Sequence, residues 1–454
     1  MPRWGGGMWG ADSCTSLHGL GVLGSWFLVL GSWFLVLGVG RWGARLMGGG
    51  RLGEMRLTVM MLGLVLVVMR MGGEDLRAQE PGTFSISPKV LMESARRLKE
   101  GDESLKPALK ALVSEAERGL KAKTESVMGK EERAASGDPH DYFSIGVYWW
   151  PDPKKPDGLP WIRRDGVRNP GAREDNDASR FSRVNKWVET LGLAYYFTRE
   201  EKYAAKAAEF LRVWYLNEGT RMNPHMNYAQ AVPGRNDGRS TGLIEAESMM
   251  GMLDGVAMIR GSEAWTLDDG ESLSGWLEQF YQWLRTSDSG LEYEKAENNH
   301  GVYHDVIATH LALYLGMKEE AEARSRAGLT RRLDAQIEAD GTQPLELART
   351  LSWSYSVFNL SAFMQLARMG ESVGVDWWGH RGPKGQSLRG ALDLLVPYLA
   401  EEKEWKLGKQ IKKMDRKEVL PLMMRALDYE EIESYRNALE QHGTDKRERW
   451  WLAR

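Results

Sequence analysis

Cysteine is nearly missing from this chain: Cys14 is the single one in 454 residues, and it falls in an N-terminal stretch unlike the rest. The body of the protein is therefore expected to use neither disulfides nor a thiolate nucleophile. An excess of one charge is missing too. The formal net charge is −3 and no long basic run is evident, so the clustered Lys and Arg of a nucleic-acid footprint are not expected. No segment alternates like a series of half-buried strands between hairpin turns, and no fixed period marks an open solenoid. Phenylalanine is scarce, 10 residues against 19 tryptophans. Tryptophan is a broad apolar plate with one polar handle, suited to cores and to stacking on sugar rings. Hydrophobic content of 42% and charged content of 27% fit a globular protein with a sizeable core.

The first eighty residues differ in character from the remainder of the chain. Residues 1–54 are rich in Gly, Trp and Leu and carry LGSWFLV twice in tandem, at 23–29 and 30–36. Such a duplication in poor sequence reads as a spurious or disordered extension. The apolar stretch Leu20 to Val39 is long enough to span a membrane, but it is interrupted by glycine. From Met55 the pattern changes to a basic start, an apolar run from Leu57 to Val68, and a small residue, Ala78, before polar sequence. That is the pattern of a secretory signal peptide over 55–78, with translation starting at Met55 and a mature chain from near Gln79. A membrane anchor is the competing reading. The expected location is the periplasm or the exterior.

From residue 79 to 443 the pattern is helical. Apolar residues recur at helix spacing from Pro88 to about Ser126, with Pro107 placed in the first turn of a second helix. Residues 136–180 are a long Pro-, Gly- and Arg-rich loop holding Tyr142-Phe143 and Tyr148-Trp149-Trp150. Helices are then expected at 185–197, 203–214, 241–260, 271–286, 300–316, 318–338, 350–370, 386–399 and 416–427. The two-residue turn Arg199-Glu200 makes the first two of these a helical hairpin. The fold class is all-α, an (α/α) toroid of antiparallel hairpins whose long loops, 136–180 and 217–240, form a cleft. The charged tail 444–454, with Trp450-Trp451, is expected to be partly disordered.

Three polar constellations can carry chemistry: Glu297 to Asp305 ahead of an apolar run, Gln343 to Leu360, and Asn223 to Gly234 with Gly238-Arg239 close behind. The plain reading of the first is a capped helix with His300 in its first turn. Read together with YWWPDP at 148–153 and RDGVRNP at 164–170, the motifs NNHG at 298–301 with Asp305, PLELARTLSWSYSVFNL at 344–360, MNYAQAVPG at 226–234 and GRSTG at 238–242 resemble the alginate lyase family, in its alginate- and glucuronan-active branch. The likeness runs from about Tyr142 to Tyr398. It implies a toroid with a substrate cleft across one end.

A uronate lyase must neutralise a carboxylate, take the C5 proton and protonate the leaving oxygen at C4. Asn299 can donate an amide hydrogen, and Arg349 can offer a fork to a carboxylate. His300 can accept or donate a proton. Tyr355 can act as acid or, if a neighbour depresses its pKa, as base. The resemblance implies Asn299 and Arg349 for carboxylate neutralisation and His300 and Tyr355 for acid and base. Which of the last two is the base depends on the stereochemistry of the uronate. Arg349 and Tyr355 stand six apart, about 120° on an ideal helix, so they share a face only if the helix starts late or bends. An ion pair of Arg349 with Glu346 is the alternative.

Substrate contacts are expected from Tyr148, Trp149, Trp150, Asn227, Gln230, Arg239 and Tyr303, with His225 orienting the same loop or touching substrate. The family has an aromatic residue just before the Asp of the first motif, where this chain has His304. His300, His304 and Asp305 would suit a metal in spacing, but no HExxH accompanies them, so neither metal nor cofactor is expected. His310 is expected in the core. The expected partner is an acidic polysaccharide, with no nucleic acid, no stable membrane association once the leader is removed, and a monomeric state. The function expected is β-elimination on alginate or glucuronan, leaving a 4,5-unsaturated end. The rivals are a toroid glycoside hydrolase, which needs two flanking carboxylates from among Glu245, Asp305 and Glu346, and a non-catalytic glycan-binding protein.

Overall fold

In the first helical pair, helix α1 (Pro88–Lys99) starts behind Ser87, whose side chain accepts from Val90 N. Helix α2 (Lys106–Lys121) has Pro107 in its first turn, as expected, and buries Ala108, Leu112, Ala116 and Gly119 along one stripe. The computed structural model describes residues 81–454 apart from 175, 400–402 and 444. The expected extension over 1–54 and leader over 55–78 lie outside the described residues. Among the described residues no helix is long and apolar enough to cross a membrane.

Paired helices come next. α3 (Asp177–Thr198) and α4 (Glu201–Leu211) are joined at Arg199, which takes the left-handed conformation at φ 60° and ends α3. A 3-10 stretch, Ser240–Ser248, runs into α5 (Met249–Ile259) where one continuous helix was expected. α6 (Leu267–Thr286) starts with a capping box between Thr266 and Asp269. After it stand α7 (Asp288–Glu294), α8 (Asn299–Tyr314) and α9 (Lys318–Gly328), the last continued by a π turn at Leu329–Leu333. The short α10 (Pro344–Leu347) precedes α11 (Ser352–Ser372). The described chain ends with α12 (Leu388–Leu395), α13 (Leu420–Ala426) and α14 (Glu433–His442).

Burial separates inner helices from outer ones. In α8, 14 of the 16 residues are buried, the mark of a helix surrounded by others, whereas α1 buries only Leu91 and Ser94. The helices α3, α5, α8, α11 and α13 pack in that order, and the chain ends then meet. Ser87 N donates to Arg454 O at 2.9 Å, and Arg449 reaches Glu115, Glu189 and Thr190. The array is therefore a closed (α/α) toroid. The tail 445–454 is docked with Trp450 buried, contrary to the expected disorder, because its arginine and indole close the seam.

The loops form two small sheets that the sequence did not announce. β1 (Phe143–Ile145) pairs in parallel with β4 (Tyr228–Ala231), tying loop 136–176 to loop 217–239. β2 (Trp149–Trp150) and β3 (Ile162–Arg163) form an antiparallel hairpin. Strands of two to four residues give no readable alternation, which is why they escaped notice.

Candidate active site

The start of α8 is built by its own motif. Asn298 caps the helix by accepting from His300 N at 3.1 Å. Deeper in the same helix, Asp305 accepts from Arg332 Nε at 2.8 Å, and the Arg332 guanidinium also donates to the carbonyls of Glu294 and Ala296. This clamp fixes the loop that delivers Asn299 and His300. Position 301 must be glycine, because a Cβ there would strike Ala296 O and the Arg332 guanidinium.

Arg349 and Tyr355 do come together, for the reason foreseen as a condition: α11 starts late, at Ser352, so Arg349 lies before it. Arg349 Nη2 donates to the Tyr355 hydroxyl at 2.7 Å. The hydroxyl of Tyr355 in turn donates to that of Tyr148 at 3.0 Å. The expected alternative partner of Arg349, Glu346, is occupied elsewhere. Glu346 accepts from both the backbone N and the side-chain Nδ2 of Asn299, at 2.8–3.0 Å.

Asp165 was not singled out by the sequence, although it stands inside the RDGVRNP motif. It accepts from Arg349 Nη2 at 2.6 Å and Nε at 3.3 Å, from Arg163 at 2.8 Å, and from the backbone and hydroxyl of Thr350. Burial alone would raise its pKa, but the donors from Arg349 and Thr350 hold it well below the usual carboxylate range. The fork of Arg349 is thus closed on the protein's own carboxylate rather than open to a ligand, with Nη1 left over. Gly166, at φ 73°, lets this loop approach, since a Cβ would sit 2.5 Å from Thr350 Oγ1.

On the opposite side, Gln230 holds a non-glycine left-handed conformation at φ 50°, a strain that its bonds support. Its Oε1 accepts from Arg239 Nη2 at 2.7 Å, its carbonyl from Arg239 Nε at 3.0 Å, and its Nε2 donates to Glu245 at 3.3 Å. The guanidiniums of Arg235 and Arg239 lie 5.2 and 5.6 Å from the Trp149 ring centre.

Tyr148, Trp149, Gln230, Arg239, Asn299, His300, Arg349 and Tyr355 all line one cleft of about 900 Å³. Other expected contacts are not on its wall. Tyr303 is sealed in the core, stacked on Phe358 with ring centres 4.4 Å apart. Trp150 donates to Val167 O and carries Arg164 over its ring. Asn227 accepts from Trp283, and His225 sits 3.1 Å from Asp141, so both brace the 217–239 loop. His310 is in the core, as expected, with Nδ1 3.1 Å from Ser85 Oγ.

Burial first, then the charges of Arg349, Arg239 and Arg163, push the His300 imidazole down to about 3. Among the described residues its Nδ1 has no hydrogen-bond partner. Burial first, then the Tyr148 hydroxyl, raise Tyr355 well above the ordinary phenol range, against the opposing charge of Arg349. The depressed phenol that a basic Tyr355 would need is not found. The arrangement offers a neutral imidazole, a protonated phenol and three converging guanidiniums.

Glu294, His304 and Asp305 bring ligand atoms within 4.8 Å of one another. Asp305, however, accepts from both Arg331 and Arg332, and Arg331 also pairs with Glu294 at 2.9 Å. Two guanidiniums supply the positive charge a cation would bring, so these residues form a structural ion-pair network. Of the carboxylates a hydrolase could use, Asp305 is in that network and Glu346 under Asn299. Glu245 accepts from Tyr142, Ser144 and Gln230.

The profile of the family described as "Alginate lyase" matches residues 126–405. Among solved structures, an alginate lyase from Bacteroides ovatus is 38% identical, with a TM-score of 0.79 over 82% of this chain and 98% of that one. Alginate lyase A1-III from Sphingomonas species A1 is 13% identical, with a TM-score of 0.45 over 72% of this chain and 90% of that one. No curated protein sequence matches the chain.

Proposed function

The chain belongs to the alginate lyase family, and from that premise we propose that it cleaves alginate or a related polyuronate by β-elimination in the cleft around His300 and Tyr355. It is a polysaccharide lyase, acting on a carbon–oxygen bond. His300 takes the C5 proton, the C4–O bond breaks with its electron pair leaving on oxygen, and Tyr355 protonates that oxygen. A C4–C5 double bond remains at the new non-reducing end. Arg349, Arg239 and Arg163 supply the field that offsets the second negative charge developing on the sugar carboxylate. Asn299 also lines the cleft, but its amide nitrogen donates to both oxygens of Glu346, so the carboxylate neutralisation expected of it falls to the guanidiniums.

One observation supports this assignment of roles: His300, kept neutral first by burial and then by the charges of Arg349, Arg239 and Arg163, lines the same cleft as Tyr355. A uronate carboxylate bound there would offset the part due to those charges and make the imidazole more basic. The mature chain is proposed to act in the periplasm or outside the cell, as a monomer. The test is to incubate chain from Gln79 onward with alginate and glucuronan and monitor ultraviolet absorbance of the unsaturated product. New reducing ends without absorbance would mean hydrolysis, and binding without either would mean a glycan-binding protein.

A further inference from the structure

Residues 406–417 read KLGKQIKKMDRK, six cations with Asp415 as the sole acid, and they lie beyond the family match, which ends at 405. The expectation of no basic cluster overlooked this stretch because uncharged residues interrupt it. The segment is docked against the catalytic elements. Ser352 N donates to Lys409 O at 2.9 Å and Ile411 N to Thr350 O at 3.0 Å, so Leu351 and Gln410 form a bridge. On its other side Ile411 packs on Gly166, where an added Cβ would lie 3.1 Å from Ile411 Cδ1. That seam joins the segment to the loop carrying Arg168.

Two cations from separate parts of the chain, one on each side of that seam, therefore line the cleft wall. Arg168 and Lys412 both line it, both are exposed, and among the described residues neither has an ion-pair partner. Of the other cations in these two segments, Arg163 is bound to Asp165, Lys406 lies 3.3 Å from Glu404, and Lys409 and Lys413 are not on the cleft wall. Cations on a cleft wall without a counter-charge attract a ligand that brings carboxylates. We infer that Arg168 and Lys412 form a carboxylate-binding subsite for a uronate beyond the one being cleaved. The occupant is a polyuronate because the site continues the cleft and such a chain carries a carboxylate on every ring. This rests on the reading of the cleft as a polyuronate site.

Binding of polymeric alginate and of a short alginate disaccharide is to be measured with the full chain carrying Tyr355→Phe, at low and high salt. Adding Arg168→Gln or Lys412→Gln should weaken polymer binding about 3- to 5-fold each at low salt. The loss should shrink at high salt and be absent with the disaccharide. Polymer binding unchanged in the double variant, or an equal loss with the disaccharide, would overturn the subsite. Tighter retention of single-stranded DNA than of alginate through the same residues would also overturn it. Wild-type chain is assayed in parallel for unsaturated ends. Cleavage without any effect of the two substitutions sinks the subsite alone. Charge-dependent polymer binding without cleavage sinks the lyase reading alone.

Discussion

His300 and Tyr355 sit in surroundings that push both toward their uncharged forms, and this fixes what each can do at neutral pH. An imidazole held down to about 3 is unprotonated there and can accept, while a raised phenol keeps its proton and can donate. His300→Ala and Tyr355→Phe should each lower kcat by about 10²–10⁴-fold with an unaltered circular dichroism spectrum; near-normal rates would remove the mechanism. Since kcat/KM reports the free enzyme, its acid limb should lie near 3 rather than near the ordinary histidine value. Asp165 acts on Tyr355 through Arg349, and its negative charge raises the phenol's pKa. Asp165→Asn should therefore lower that pKa and move the alkaline limb of kcat/KM to lower pH. A fall in rate with both limbs unmoved would assign Asp165 a structural role only.

Helix starts set the geometry of the site. α8 begins at Asn299 and α11 at Ser352, so residues just before or inside each first turn line the cleft; the later turns of α8 are packed on all sides, while Val357, Phe358 and Ser361 carry the cleft wall further along α11. Gly301 is where the two demands meet. Gly301→Ala forces a methyl group against Ala296 O and Arg332, and should destabilise the protein by about 1–3 kcal/mol, read from denaturant unfolding. The same clash displaces His300, so turnover should fall even at temperatures where the variant is folded. Full activity with an unchanged unfolding midpoint would contradict this account of the motif.

Ring closure belongs to the molecule as a whole. The last residues pair with the first helices through Arg449 and the Arg454 carbonyl, and Trp450 between them is buried. Deleting 445–454 should lower the thermal midpoint and cost more than about 2 kcal/mol, as loss of a buried aromatic and its ion pairs implies. A midpoint equal to that of the intact chain would show that the toroid does not depend on this seam.

Much of this was legible in the sequence because helical periodicity and short motifs are local. The period of apolar residues located the main helices, and NNHG with SWSY located His300 and Tyr355 before any contact was known. The spacing of Arg349 and Tyr355 even stated the condition, a late helix start, under which they could meet. What the sequence could not determine were pairings between distant segments: Asp165 with Arg349, Glu346 with Asn299, Ile411 with Gly166, and the tail with α2. It also left His225, Asn227, Trp150 and Tyr303 on the same footing as true wall residues. Those outcomes depend on burial and on which donors reach which acceptors, and both are set only when the ring closes.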